Sequence, residues 1–188
     1  MSNVRIRAAT LTDAEAVARV HVHAWRESYR GLVPDDLIAA LSVERNTQQW
    51  QTIIGAGEAS IALVVERVAE EAGRQGTATI VGFGAACDAR SPELGTSGEV
   101  TAIYLLEAYK RRGIGRRLFT GLLQALAARG HRSACLWVLV DNHATRHFYE
   151  ALGGRAGSQR IATDGPAPMH EIAYVWDDLK RFSGGLDE

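Results

Sequence analysis

Two cysteines, Cys87 and Cys135, are all that the 188 residues contain. Two cannot build a disulfide framework, and neither lies in a CxxC or other zinc-type spacing, which argues against a stapled scaffold and against a cysteine-held metal. Both sit in apolar runs and read as small core residues. An excess of one charge is also lacking, because 21 Lys and Arg face 22 Asp and Glu for a formal net charge of −1. Such a chain has no overall electrostatic pull toward nucleic acid or an anionic membrane, so any cationic function must be local. No run approaches the ~18 apolar residues of a membrane span, and Met1 to Thr10 lacks the apolar core of a signal peptide. Internal repeats, low-complexity tracts and inter-domain linkers are missing as well. What is present, 46% hydrophobic and 23% charged residues, is enough apolar material for a globular core. The length fits one domain, and a soluble cytoplasmic enzyme or binding protein is expected.

Along the chain, Val4, Ile6 and Ala8 alternate with Asn3, Arg5 and Arg7, which predicts a half-buried strand. Thr12-Asp13-Ala14-Glu15 reads as a capping box that opens a helix with Val17, His21, Ala24 and Trp25 on one face. Gly31 ends that helix, a second segment follows Pro34, and a third runs from about Ser42 to Gly55-Ala56-Gly57. Ile61 to Val68 and Thr79 to Cys87 are β-like runs, and the polar link Glu70 to Gly76 predicts a hairpin with a long loop. Ser91 to Gly98 is a second loop. Glu99 to Leu106 reads as a strand, Ile114 to Arg129 as a helix capped by Gly130, and Ala134 to Val140 as a strand buried on both faces. That succession predicts a parallel crossover. A helix from Asp141-Asn142 to Leu152 and strands near Gln159 to Ala162 and Glu171 to Trp176 complete the chain.

The local cationic feature lies between the first two parts of the crossover. Five of the eight residues from Lys110 to Arg117 are basic, and Gly113 and Gly115 stand where the helix begins. Amides at a helix start lack intrahelical partners and carry the positive end of the dipole, and glycine lets a bulky anion approach them. A phosphate ligand fits this construction; a tight turn with a solvated basic face would also explain it. A Walker loop would need Lys-Ser or Lys-Thr after the glycines, and a dinucleotide fingerprint would need a third glycine where Leu118 stands. Both common nucleotide patterns fail on residues.

Lys110-Arg111-Arg112-Gly113-Ile114-Gly115 resembles the [Q/R]xxGx[G/A] signature of the GNAT superfamily of N-acetyltransferases, with Lys in the first place. Ile103-Tyr104-Leu105 is similar to that family's pantetheine-pairing strand. Val140-Asp141-Asn142, with Ala144, Phe148-Tyr149 and Leu152-Gly153, is similar to its second cofactor motif. The stretch His21 to Pro34, with Trp25, Arg26, Tyr29 and Arg30-Gly31-Leu32-Val33, resembles an opening found in one broad group of that family.

The resemblance implies a single domain over 1–188, with an acceptor-side helical part at 3–60 and a cofactor core at 99–154. The implied fold is α/β: a mixed, twisted sheet of about seven strands with flanking helices and a central, splayed parallel pair. It implies acetyl-CoA as cosubstrate, bound by Ile103, Tyr104, Leu105, Lys110, Arg111, Arg112, Gly113, Ile114, Gly115, Arg116, Asn142 and Tyr149, with no metal. A backbone N–H of Tyr104 or Leu105 would polarise the thioester carbonyl. Tyr149, two helical turns beyond Asn142, is the implied general acid, although packing beside Phe148 also explains a tyrosine there. Glu99 matches a position for a base acting through water, with a solvated strand-edge residue as the plain alternative and Glu107 as a weaker candidate. Trp25, Arg26 and Tyr29 would line the acceptor site, or simply pack. The expected function is transfer of an acetyl group to a primary amine of a small molecule or peptide by direct attack; the alternative is a non-catalytic acyl-CoA sensor. Neither nucleic acid nor membrane is an expected partner, and the apolar strand ending at Trp176 could support a homodimer.

Overall fold

The computed structural model of the chain describes residues 3–71, 74–163 and 167–182. Seven strands form one sheet in the order β1-β2-β3-β4-β5-β7-β6: β1 Asn3–Ala8, β2 Ser60–Glu71, β3 Arg74–Asp88, β4 Gly98–Leu105, β5 Ala134–Leu139, β6 Arg155–Ala162 and β7 Met169–Trp176. Every neighbouring pair is antiparallel except β4–β5, the expected parallel crossover. Helices α1 (Ala14–Ser28), α2 (Asp35–Ala39) and α3 (Val43–Gly55) come before β2, α4 (Ile114–Ala128) joins β4 to β5, and α5 (His143–Ala151) follows β5.

The two sheet faces are covered by different helices. Val17, Val20 and Trp50 of α1 and α3 pack with Val64, Phe83 and Ala85 on one side. On the other, Phe119, Leu122, Leu123 and Leu126 of α4 pack with Leu136, Tyr174 and Trp176. The α4 side chains recur at helical spacing and are fully buried, each contributing roughly 1.5–3 kcal/mol. Gly84 permits this close approach, since a Cβ there would lie 2.7 Å from Leu122 Cδ1.

Three expectations need correction. The turn into α1 is organised by Thr10 and Asp13 rather than by Thr12 and Glu15. Asp13 Oδ2 accepts from the Thr10 N–H at 2.8 Å and its hydroxyl at 2.9 Å, and Arg7 fixes the carboxylate from the other side. Glu15 faces outward and pairs with Arg19 instead. The stretch 70–76 is mostly strand: Glu70 pairs with Gln75 and Glu71 with Arg74, while 72 and 73 lie outside the described residues. Ladder bonds are made by the main chain and do not require apolar side chains. Lastly, β7 lies between β5 and β6, and Trp176 is buried against Phe119 and Tyr149. The apolar character of β7 therefore serves the core, which removes the reason for expecting a dimer from it.

Candidate active site

The register of β4 positions the site. Ala85 pairs with Ala102 but Ala86 pairs with Val100, so Thr101 is an extra residue that bulges β4. On the other side, β4 pairs with β5 only at Gly98↔Ala134 and Glu99↔Cys135. Beyond those pairs the two strands part. No β4 residue past Glu99 has a pairing partner on β5 among the described residues.

A cavity of about 130 Å³ occupies the gap, walled by Val100 to Leu105 of β4 and Leu136 to Val138 of β5. Asn142, Thr145 and Tyr149 close it from the α5 side, and Ser28 and Tyr29 from the end of α1. It therefore opens to elements on both faces of the sheet.

Tyr149 is 4% exposed, packed among Phe119, Phe148, Tyr174 and Trp176. Among the described residues its hydroxyl has no protein hydrogen-bond partner, and it is not among the fully enclosed unsatisfied atoms, so it is open to the cavity. Burial, with a smaller effect of nearby Tyr29, pushes its pKa above the ordinary tyrosine value. Asn142 caps α5 by accepting the Thr145 N–H at 3.2 Å, which leaves its amide N–H donors for another partner. On the α1 side, Trp25 Nε1–H donates to the Tyr104 hydroxyl at 3.0 Å, and the hydroxyls of Tyr104 and Tyr29 share a bond of 3.2 Å. Burial raises the pKa of both tyrosines, so all three hydroxyls stay protonated at neutral pH.

The basic turn lies beside the end of β4. Arg111 (φ 57°) and Gly113 (φ 77°) are both left-handed, and no side chain caps the start of α4. No acidic residue occupies the first turn of α4, while Arg111, Arg112, Arg116 and Arg117 are exposed around it. Cations at the positive end of a helix dipole are unfavourable until an anion joins them. This construction fits a diphosphate. Lys110 acts differently, because its Nζ pairs with Glu107 at 2.9 Å and donates to Ser28 Oγ at 3.2 Å, tying the loop to the end of α1.

The remaining expected residues are placed as follows. Ile103 and Leu105 face the α4 side and Tyr104 the α1 side. Trp25 does not line the cavity but touches two residues that do, Tyr104 by its hydrogen bond and Tyr29 by ring contact, and Arg26 is exposed outside the lining. Glu99 is 2% exposed and does not line the cavity; Arg90 binds one carboxylate oxygen through Nη2 at 2.6 Å and the other through its backbone N–H at 2.9 Å. Glu107 is exposed and paired with Lys110, which lowers its pKa. Thr101, Trp137 and Thr145 are wall residues that the sequence does not single out. A lone aromatic in the buried run of β5 is the one available signal, for Trp137. Among the described residues, no group of three His, Cys, Asp or Glu could hold a metal ion, and no helix is long and apolar enough to cross a membrane.

Residues 19–154 match the model of the acetyltransferase (GNAT) family. The chain belongs to the GNAT family. The uncharacterized N-acetyltransferase YuaI of Bacillus subtilis (strain 168) is 30% identical over 180 residues, covering 94% of each chain. Solved GNAT-fold relatives include the PaiA N-acetyltransferase of Thermoplasma acidophilum in complex with coenzyme A. Its TM-score is 0.63 at 16% identity, over 90% of this chain and 98% of that one. YncA of Salmonella typhimurium, with acetyl-CoA, has a TM-score of 0.63 at 18% identity, over 100% and 98%. In this GNAT chain the family match spans α4, β5 and α5, the elements that frame the cavity.

Proposed function

We propose that this protein transfers the acetyl group of acetyl-CoA to a primary amine of a small molecule or peptide, with donor and acceptor bound together. One observation carries the reading: a buried tyrosine hydroxyl without a protein partner opens into the gap where β4 and β5 part. The cofactor complexes of PaiA and YncA support acetyl-CoA as the donor.

Acetyl-CoA supplies a thioester whose carbonyl carbon accepts the amine lone pair as the carbon–sulfur bond breaks. The uncapped amides of Gly113 to Arg116, with Arg111, Arg112 and Arg116, hold the diphosphate. The free edge of β4 at Ile103 to Leu105 pairs with the pantetheine, and the amide of Leu105, which points away from β3, donates to the developing oxyanion. Asn142 offers its amide N–H to the same arm. Tyr149 gives its hydroxyl proton to the departing thiolate and regains one from solvent. Its raised pKa keeps that proton in place, so activity should show no alkaline loss from Tyr149 below about pH 10. The amine's excess proton leaves through water, because Glu99 is held by Arg90 outside the cavity wall.

The test is coenzyme A release across a panel of amines, with both substrates varied. Intersecting initial-velocity lines are expected. Parallel lines would mean an acyl-enzyme, and acetyl-CoA binding without thiol release on any amine would mean a sensor.

A further inference from the structure

The β5 strand contributes to the cavity from both faces. Leu136 and Val138 share the core with α4 and α5. Side chains alternate along a strand, so Trp137 lies on the opposite face, the one that carries α1 and Tyr29. Trp137 is thus the β5 residue that walls the cavity on the face of α1 and Tyr29.

Its position is fixed by residues from three separate segments. The indole N–H donates to Ser91 Oγ at 3.0 Å, and Ser91 is buried in the loop before β4. The Arg160 guanidinium of β6 stacks over the indole at 4.0 Å from its centroid and also donates to Ser91 Oγ at 3.3 Å. Glu171 of β7 holds that guanidinium in turn, accepting from Nε at 2.9 Å and pairing with Nη2 at 2.9 Å. An indole bonded at its edge and stacked on its face cannot swing aside without breaking both contacts.

We propose that Trp137 is a specificity-determining residue: a clamped wall that limits how broad the acceptor is next to its nitrogen, so that unbranched primary amines are preferred. The inference rests on the transferase reading above. A cavity of about 130 Å³ has to hold the acetyl end of the donor and the nitrogen end of the acceptor together. An indole in its wall therefore decides what else fits. Arg160 acts through Trp137 and is a positioning residue.

Matched pairs of similar basicity test this: n-butylamine against sec-butylamine, and glycinamide against valinamide, followed by coenzyme A release. Wild type should favour the slim member of each pair. Trp137→Ala should move the ratio of kcat/KM values toward the branched member by about tenfold or more, with the KM for acetyl-CoA unchanged. Trp137→Phe, which keeps a ring but loses the bond to Ser91, guards against failure of the alanine variant to fold and should shift the ratio less in the same direction. Arg160→Lys keeps the charge but loses the planar stack, and should also shift the ratio without changing the KM for acetyl-CoA. A ratio constant within about twofold across the folded variants, in the presence of wild-type activity, would overturn the proposal. Absence of thiol release with every amine would overturn the transferase reading and this inference with it.

Discussion

His21 shows how a residue's surroundings decide its chemistry. Its ring lies among those of Trp25, Trp50, Phe83 and Tyr104, and Nδ1 accepts the Trp50 indole N–H at 3.1 Å. Burial lowers its pKa from 6.5 to about 4, with a hydrogen bond to Asn46 opposing the shift. The unfolded chain takes up a proton near pH 6.5 that the folded chain refuses until about pH 4. Stability from this group is therefore fully present above pH 6.5 and declines as the pH falls toward 4, by at most about 3 kcal/mol. Replacing His21 with Gln should flatten that part of the profile, measured by urea denaturation from pH 7 to 4. An equally steep decline in the variant would place the titration elsewhere. Asp13, held at a pKa of about 2 first of all by Arg7, loses its contribution only in a lower window, from its ordinary 3.8 downward.

At the scale of the element, the turn into α4 makes Gly113 and Gly115 unequal. Gly113 has φ 77° and open space where a Cβ would project, so alanine there bears only the left-handed penalty, about 1 kcal/mol. A Cβ on Gly115 would meet Leu105 Cδ1 and Phe148 Cζ at 3.5 Å, an ordinary contact. Gly113→Ala should lower stability by about that amount and weaken the rise in Tm caused by coenzyme A, whereas Gly115→Ala should change little; a thermal-shift titration of both compares them. Equal losses would mean that the left-handed turn is not what the glycine provides. The turn was legible in the sequence because glycines, arginines and an apolar helix stripe adjoin one another. The Thr101 bulge was not, and the parting of β4 from β5 was expected only through the family resemblance, since pairing register is set by main-chain bonds that no side chain announces. The clamp on Trp137 was equally hidden: Ser91, Arg160 and Glu171 are distant in the chain and form no motif. Glu99 was legible as a strand's first carboxylate, but its ion pair with Arg90 from the preceding loop was not.

At the scale of the whole molecule, the sheet separates two sets of groups and the gap rejoins them. The α4 and α5 face presents the basic turn, Asn142 and Tyr149; the α1 face presents Tyr29, Tyr104 and Trp137. Only where β4 and β5 part can groups from both faces reach one reacting centre. Alternating strands and helix stripes made this layered frame predictable, and the parallel β4–β5 pair followed from the strand-helix-strand order. The proposed chemistry needs one hydroxyl at that junction. Tyr149→Phe removes that hydroxyl, keeps the ring, and breaks no hydrogen bond to the described protein. The most direct measurement is therefore steady-state coenzyme A release by this variant beside wild type, with Tm and acetyl-CoA affinity measured on the same samples. A fall in kcat of about a hundredfold with Tm and affinity unchanged is the predicted result. A kcat within about twofold of wild type would contradict the assignment of Tyr149 as the acid.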